Sequence, residues 1–239
     1  MARSRDTFEI LFEDDHLIAV VKPAGLPTAN AAPGAESLFT LLKERFGPAA
    51  FVGIVSRLDA PVSGVVVVAK TPAAAGGLAE QFRERLVEKA YSAVVTGRFP
   101  APLAHWVDWN DAVSRRPGER TSVLHPAGDA REGGGDASPR AAHVRARVVR
   151  RAGEVSLVEL EPSTGRRHQL RLQLASRGCP IVGDRLYGSR LPFPAGIALH
   201  ARSLSLTHPL TGVPMTLESP CGPLWGRAFP SLFSGSAGR

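Results

Sequence analysis

Cysteine is nearly absent from this chain of 239 residues. Cys179 and Cys221 stand far apart, each without a neighbouring partner, and so form neither a disulfide framework nor a zinc-site spacing. The seven histidines show no His-x-x-x-His or similar spacing, which leaves no candidate metal site. No run approaches the ~18 consecutive apolar residues of a membrane-spanning helix. The start of the chain, with Arg3, Arg5 and Asp6, lacks the apolar core of a secretion signal. No repeat of roughly 20–50 residues is visible. These absences point to a soluble protein of a reducing, cytoplasmic compartment, without metal or membrane.

What is present begins with charge. Lys and Arg number 29 against 22 Asp and Glu, a formal net charge of +7 that suits a polyanionic partner. Arginine greatly outnumbers lysine, which fits bidentate phosphate contacts, although a GC-rich genome would produce the same enrichment in Ala, Gly, Pro and Arg. The length is sufficient for a large core, and a single domain over 1–239 is expected.

Ser56-Arg57-Leu58-Asp59-Ala60-Pro61-Val62-Ser63-Gly64 runs directly into four valines, Val65 to Val68. Such an apolar run predicts a central strand buried on both faces, with Asp59 at its lip. A carboxylate there is either a turn stabiliser or a presented functional group. Upstream, residues 8 to 22 predict two strands around an Asp14-Asp15 turn, stopped by Pro23. Lys22 at that strand end is either solvated, the blander alternative, or within reach of a phosphate. Ser37 or Glu36 caps an expected helix over Leu38–Phe46, ended by Gly47-Pro48. Thr71-Pro72 opens a second, running to about Val87 with Leu78, Phe82 and Leu86 as its buried stripe.

Lys89 to Gly97 predicts a strand in which Tyr91 is either a half-buried aromatic or a hydroxyl aimed into a site. The segment from about 108 to 142 is polar and rich in Gly, Pro, Ser and Arg, and predicts a mobile insertion or long loop without a packed core. Two strands follow, Val144 to Arg150 and Val155 to Leu160, joined by a tight Ala152-Gly153 turn. Pro162 to Gly178 predicts a helix with Arg166, Arg167, His168 and Arg171 at its start, suited to phosphate or simply an arginine-rich surface. Strands over Ile197–Leu206 and Pro214–Glu218 end the ordered chain, with fraying expected after about 233.

Taken together, RLDAPVSGVVVVAKT, KAYSAVVTG, PSTGRRHQLRLQLASRGCPIVGDRLYG and LHARSLSLTHPLTG follow the order seen in pseudouridine synthases of the RluA type, and the chain resembles that family over roughly residues 8 to 220. The resemblance implies an α+β fold with a mixed, mostly antiparallel β-sheet split by a central cleft and flanked by helices. It implies an RNA uridine isomerase that needs no metal or organic cofactor, acting on ribosomal or transfer RNA as a monomer with no obligate protein partner.

By position, Asp59 corresponds to the family's catalytic aspartate, Tyr91 to the tyrosine of its lysine-x-tyrosine strand, and Arg171 to the arginine of its histidine-glutamine-leucine-arginine segment. Arg57 corresponds to the arginine that enters the RNA stack when the target base leaves it, and Lys22, Arg166, Arg167 and His168 are the remaining candidate RNA contacts. An arginine beside Asp59 would keep the carboxylate ionised. Ser56 and Val62 depart from the family pattern, which has histidine and threonine there; neither belongs to the catalytic trio. Barely seven residues precede the first strand, so the small RNA-binding domain in front of many relatives is expected to be missing. The competing possibilities are a catalytically silent RNA-binding module using the same groove, and an aspartyl hydrolase, which would want a second carboxylate.

Overall fold

The computed structural model describes residues 8–32, 34–116, 118–119, 121–132 and 137–233. In chain order the elements are β1 (Glu9–Glu13), β2 (Leu17–Lys22), α1 (Leu38–Phe46), β3 (Ser63–Ala69), α2 (Pro72–Arg83), β4 (Glu88–Thr96), β5 (Val107–Arg115), β6 (Ser122–Pro126), β7 (Arg140–Ala152), β8 (Val155–Pro162), α3 (Gln169–Ser176), β9 (Leu199–Thr207), β10 (Pro214–Glu218), α4 (Pro223–Ala228) and α5 (Pro230–Phe233). The class is α+β, and the registered strand pairs are antiparallel. Where the sequence predicts a single domain, contacts cluster into two compact units. One runs through Glu88 and includes Ala201–Ser219; the other comprises Lys89–His200 and the chain from Pro220.

In the first unit the strands lie in the order β1-β2-β3-β9-β10. The Asp14 carboxylate closes the β1–β2 turn by accepting from the His16 and Leu17 amides, both at 2.7 Å. β3 alternates as a strand must. Val65, Val67 and Ala69 join Leu17, Ala19, Ala74 and Leu78 in one core, while Val66 and Val68 join Ile18, Val20, Leu38, Leu41 and Leu42 in another. The valine run is therefore buried on both faces, with α2 on one side and α1 on the other.

Both helices start where their caps predict. Ser37 and Thr40 form a reciprocal capping box on α1, and the Thr71 side chain accepts from the Ala74 amide ahead of Pro72 on α2. The predicted end of α2 is corrected: it stops at Arg83, Arg85 takes a left-handed φ of 61°, and Leu86 is 62 % exposed rather than part of the buried stripe.

In the second unit the order is β4-β8-β7-β5-β6. The loop predicted over 108–142 is a correction, because β5, β6 and the start of β7 occupy much of it, with Trp109, Ala112, Val113 and Ala142 buried. Composition concealed a strand period because Asp111, a charge on the inward face, is neutralised by Arg177 and bonded by Gln173. Residues 133–136 of that segment, and the tail beyond 233, lie outside the described residues.

The helix predicted from Pro162 is shorter than expected. β8 extends to Pro162 and α3 begins only at Gln169. Between them the Gln169 carboxamide accepts from the Arg166 amide and the Thr164 hydroxyl, and donates to His143 O. Those side-chain bonds replace the backbone ladder of another helical turn.

Candidate active site

Asp59 belongs to the first unit, half-buried on the loop that feeds β3. Its carbonyl accepts from the Val62 amide at 3.0 Å, which closes the Ala60-Pro61 turn. Two further ties hold this loop. The Thr28 hydroxyl donates to Leu58 O at 2.8 Å and accepts from the Leu58 amide at 3.2 Å. The Gly25 amide donates to Ala60 O at 2.7 Å. Rigid backbone on both sides of a carboxylate is what a presented functional group requires. Arg57, two residues earlier, is exposed.

Lys22 corrects its prediction. It is 0 % exposed, and its ammonium donates to Pro23 O (2.8 Å), Leu26 O (2.7 Å) and Ala60 O (3.3 Å). Burial lowers its pKa to about 8, with the negative charge of Asp59 pulling the other way. A side chain so committed is neither solvated nor aimed at a phosphate; it ties the 23–27 segment to the Asp59 loop from beneath.

The remaining candidates lie in the second unit. Tyr91 is half-buried on β4, paired with Leu160, and so shares the sheet face with Val144, Ala146 and Val158. Arg171, on the first turn of α3, is buried, and its guanidinium forms a two-pronged bond with Asp184: Nε to Oδ2 at 2.7 Å and Nη2 to Oδ1 at 2.9 Å. The Tyr187 ring lies 5.2 Å from the same guanidinium. His168 bonds through Nδ1 to the Tyr187 hydroxyl at 2.9 Å, and Arg166 donates to Ala141 O at 2.9 Å. Arg167 is exposed, reaching Glu119 O at 3.4 Å. The structure thus gathers Lys22, Arg57 and Asp59 in one unit, and Tyr91, Arg166, Arg167, His168 and Arg171 in the other. No cluster of metal-ligating side chains occurs among the described residues, and none of the described helices is long and apolar enough to cross a membrane.

Residues 16–176 match the family described as RNA pseudouridylate synthase. The chain belongs to that family. Among curated relatives, the dual-specificity RNA pseudouridine synthase RluA of Vibrio vulnificus is 35 % identical over 226 residues, covering 89 % of this chain and 83 % of the relative. The RluA of Escherichia coli K12 is 37 % identical over 219 residues, covering 88 % and 92 %. Among solved structures, human RNA pseudouridylate synthase domain containing 4 aligns with a TM-score of 0.73 at 26 % identity, covering 94 % of this chain and 92 % of the other. This protein is accordingly an RNA-modifying isomerase.

Two residues that hold this synthase's arginine escaped the sequence. Asp184 and Tyr187 lie in the GDRLYG segment, which carried the family resemblance but no assigned role. The available signal was an Asp following the buried Ile181-Val182 pair, since a carboxylate placed next to core residues needs a cation.

Proposed function

We propose that this synthase isomerises uridines of ribosomal or transfer RNA to pseudouridine, with Asp59 as nucleophile or charge stabiliser, Arg171 as the cation serving it, and Tyr91 stacking on the base and assisting proton removal. The supporting observation is that the matched stretch, residues 16–176, contains all three. It also runs from the first unit into the second, which supports one catalytic domain over the chain.

The chemistry suits these groups. The glycosidic bond to N1 breaks, uracil turns in place and rejoins through carbon 5, the proton on that carbon leaves, and the freed N1 takes one up. No atom is gained or lost overall, so a carboxylate, a cation and a proton acceptor suffice without a cofactor. A stacked or paired uridine hides its reacting atoms, so the base must be everted at a cost of a few kcal/mol. Exposed Arg57 entering the vacated space offsets part of that cost by stacking and phosphate contact. Arg166, Arg167 and His168 are the further RNA contacts of this proposal. A cytoplasmic monomer without an obligate protein partner completes it.

The test uses total RNA carrying 5-tritiated uracil from cells lacking this gene. The wild-type protein should release tritium, and Asp59→Asn should release none while still retaining RNA on a filter. Release by Asp59→Asn at the wild-type rate would overturn the role of Asp59. Absence of release by the wild-type protein, with binding intact, would favour the silent RNA-binding module.

A further inference from the structure

We propose that Tyr187 is a positioning residue of the isomerisation, its ring holding the Arg171 guanidinium in the orientation the reaction uses; this rests on the role assigned to Arg171 above. A guanidinium is a flat fork, and two different contacts restrain this one. Asp184 takes the edge through Nε and Nη2, at 2.7 and 2.9 Å. The guanidinium carbon sits over the Tyr187 ring, 5.2 Å from its centroid, the geometry in which an aromatic quadrupole attracts a cation. Both restraints come from one short turn, Asp184 to Gly188, closed by Gly188 at a φ of 93°.

The ring is itself fixed at its far end. The hydroxyl accepts from the Ser122 amide at 3.0 Å and shares a hydrogen bond with His168 Nδ1 at 2.9 Å. Burial pushes this phenol's pKa up, so it stays protonated. His168 stands immediately before α3 in a left-handed conformation, φ 56°, that a side chain other than glycine adopts at some cost. A bond to Tyr187 offsets that cost and joins β6, the 184–188 turn and the first turn of α3 around one arginine.

Steady-state tritium release from the same RNA tests the proposal, with Tyr187→Leu, Tyr187→Phe and Asp59→Asn compared with wild type. Tyr187→Leu should lower kcat at least ten-fold with KM unchanged within two-fold. Tyr187→Phe, which keeps the ring, should retain at least a third of wild-type kcat. A folded Tyr187→Leu with wild-type kcat, a loss confined to KM, or a Tyr187→Phe as slow as Tyr187→Leu would overturn it. If Tyr187→Leu does not fold, Tyr187→Met, whose flexible side chain refills the space, is read by the same criteria. An active Asp59→Asn would sink the parent assignment instead, and an inactive Asp59→Asn beside a normal Tyr187→Leu would remove only the positioning role.

Discussion

Arg171 and Asp184 form a buried fork, two parallel bonds of 2.7 and 2.9 Å between side chains that are 6 % and 1 % exposed. Removing one partner takes two hydrogen bonds and a countercharge from the other where water does not replace them. Asp184→Ala should therefore cost about 3–5 kcal/mol, measured by urea unfolding. Replacing both, as Arg171→Met with Asp184→Leu, should recover much of that stability while tritium release stays abolished. A double variant that regains activity along with stability would mean Arg171 has only a structural role.

The buried Lys22 makes stability depend on alkaline pH with a definite sign. Its folded pKa of about 8 lies below the ordinary value of 10.5. Between those two values the unfolded chain holds the proton that the folded protein has given up, so folding becomes more favourable as pH rises. Lys22→Met should be less stable than wild type by about 1–3 kcal/mol at pH 7, because three carbonyls lose their donor. That gap should widen by about 2 kcal/mol between pH 8 and 10. Urea unfolding of both proteins across this range decides it; a constant gap would contradict the lowered pKa.

Arg57 is exposed, so losing it should leave folding intact. Arg57→Ala should shift Tm by less than about 1 °C, as surface substitutions do. It should lower kcat/KM roughly ten-fold, equivalent to about 1.4 kcal/mol of the eversion cost. The deficit should persist when salt is varied if stacking dominates, and shrink at high salt if phosphate contact does.

Gly64 has a φ of 121° and backs onto the Ala201 peptide, whose oxygen and nitrogen a Cβ would strike. Backbone strain and overlap together predict a loss of roughly 3 kcal/mol or more for Gly64→Ala. Urea unfolding measures the loss directly. Tritium release should fall with it, since the Asp59 loop ends where this strand begins.

Local signals proved the most legible. Ser37 and Gly47 bracket α1, Thr71-Pro72 opens α2, and the valine run announces a strand buried on both sides, because caps and periodicity act over a few residues. The family motifs likewise marked out Asp59, Tyr91 and Arg171 as candidates. Long-range compensation was illegible. Nothing in Val21-Lys22-Pro23 reveals three carbonyls converging on one ammonium, one of them from Ala60. Nothing local to Trp109-Asn110-Asp111 shows that Arg177 would neutralise an inward carboxylate and keep β5 a strand. The true start of α3 depended on Gln169 turning back to Thr164 and Arg166, a choice that helix propensity does not contain.

Alternate members of Val65 to Val68 serve different cores, yet sliding β3 by one position still puts valine at three of the four valine sites. Side-chain fit therefore scarcely senses the phase of this strand, although a slip of one residue exchanges its faces. The peg is Gly64, the residue at its head that can lie flat against Ala201. Without it a slip of one step would leave valine at three of those four sites while carrying Asp59 out of place.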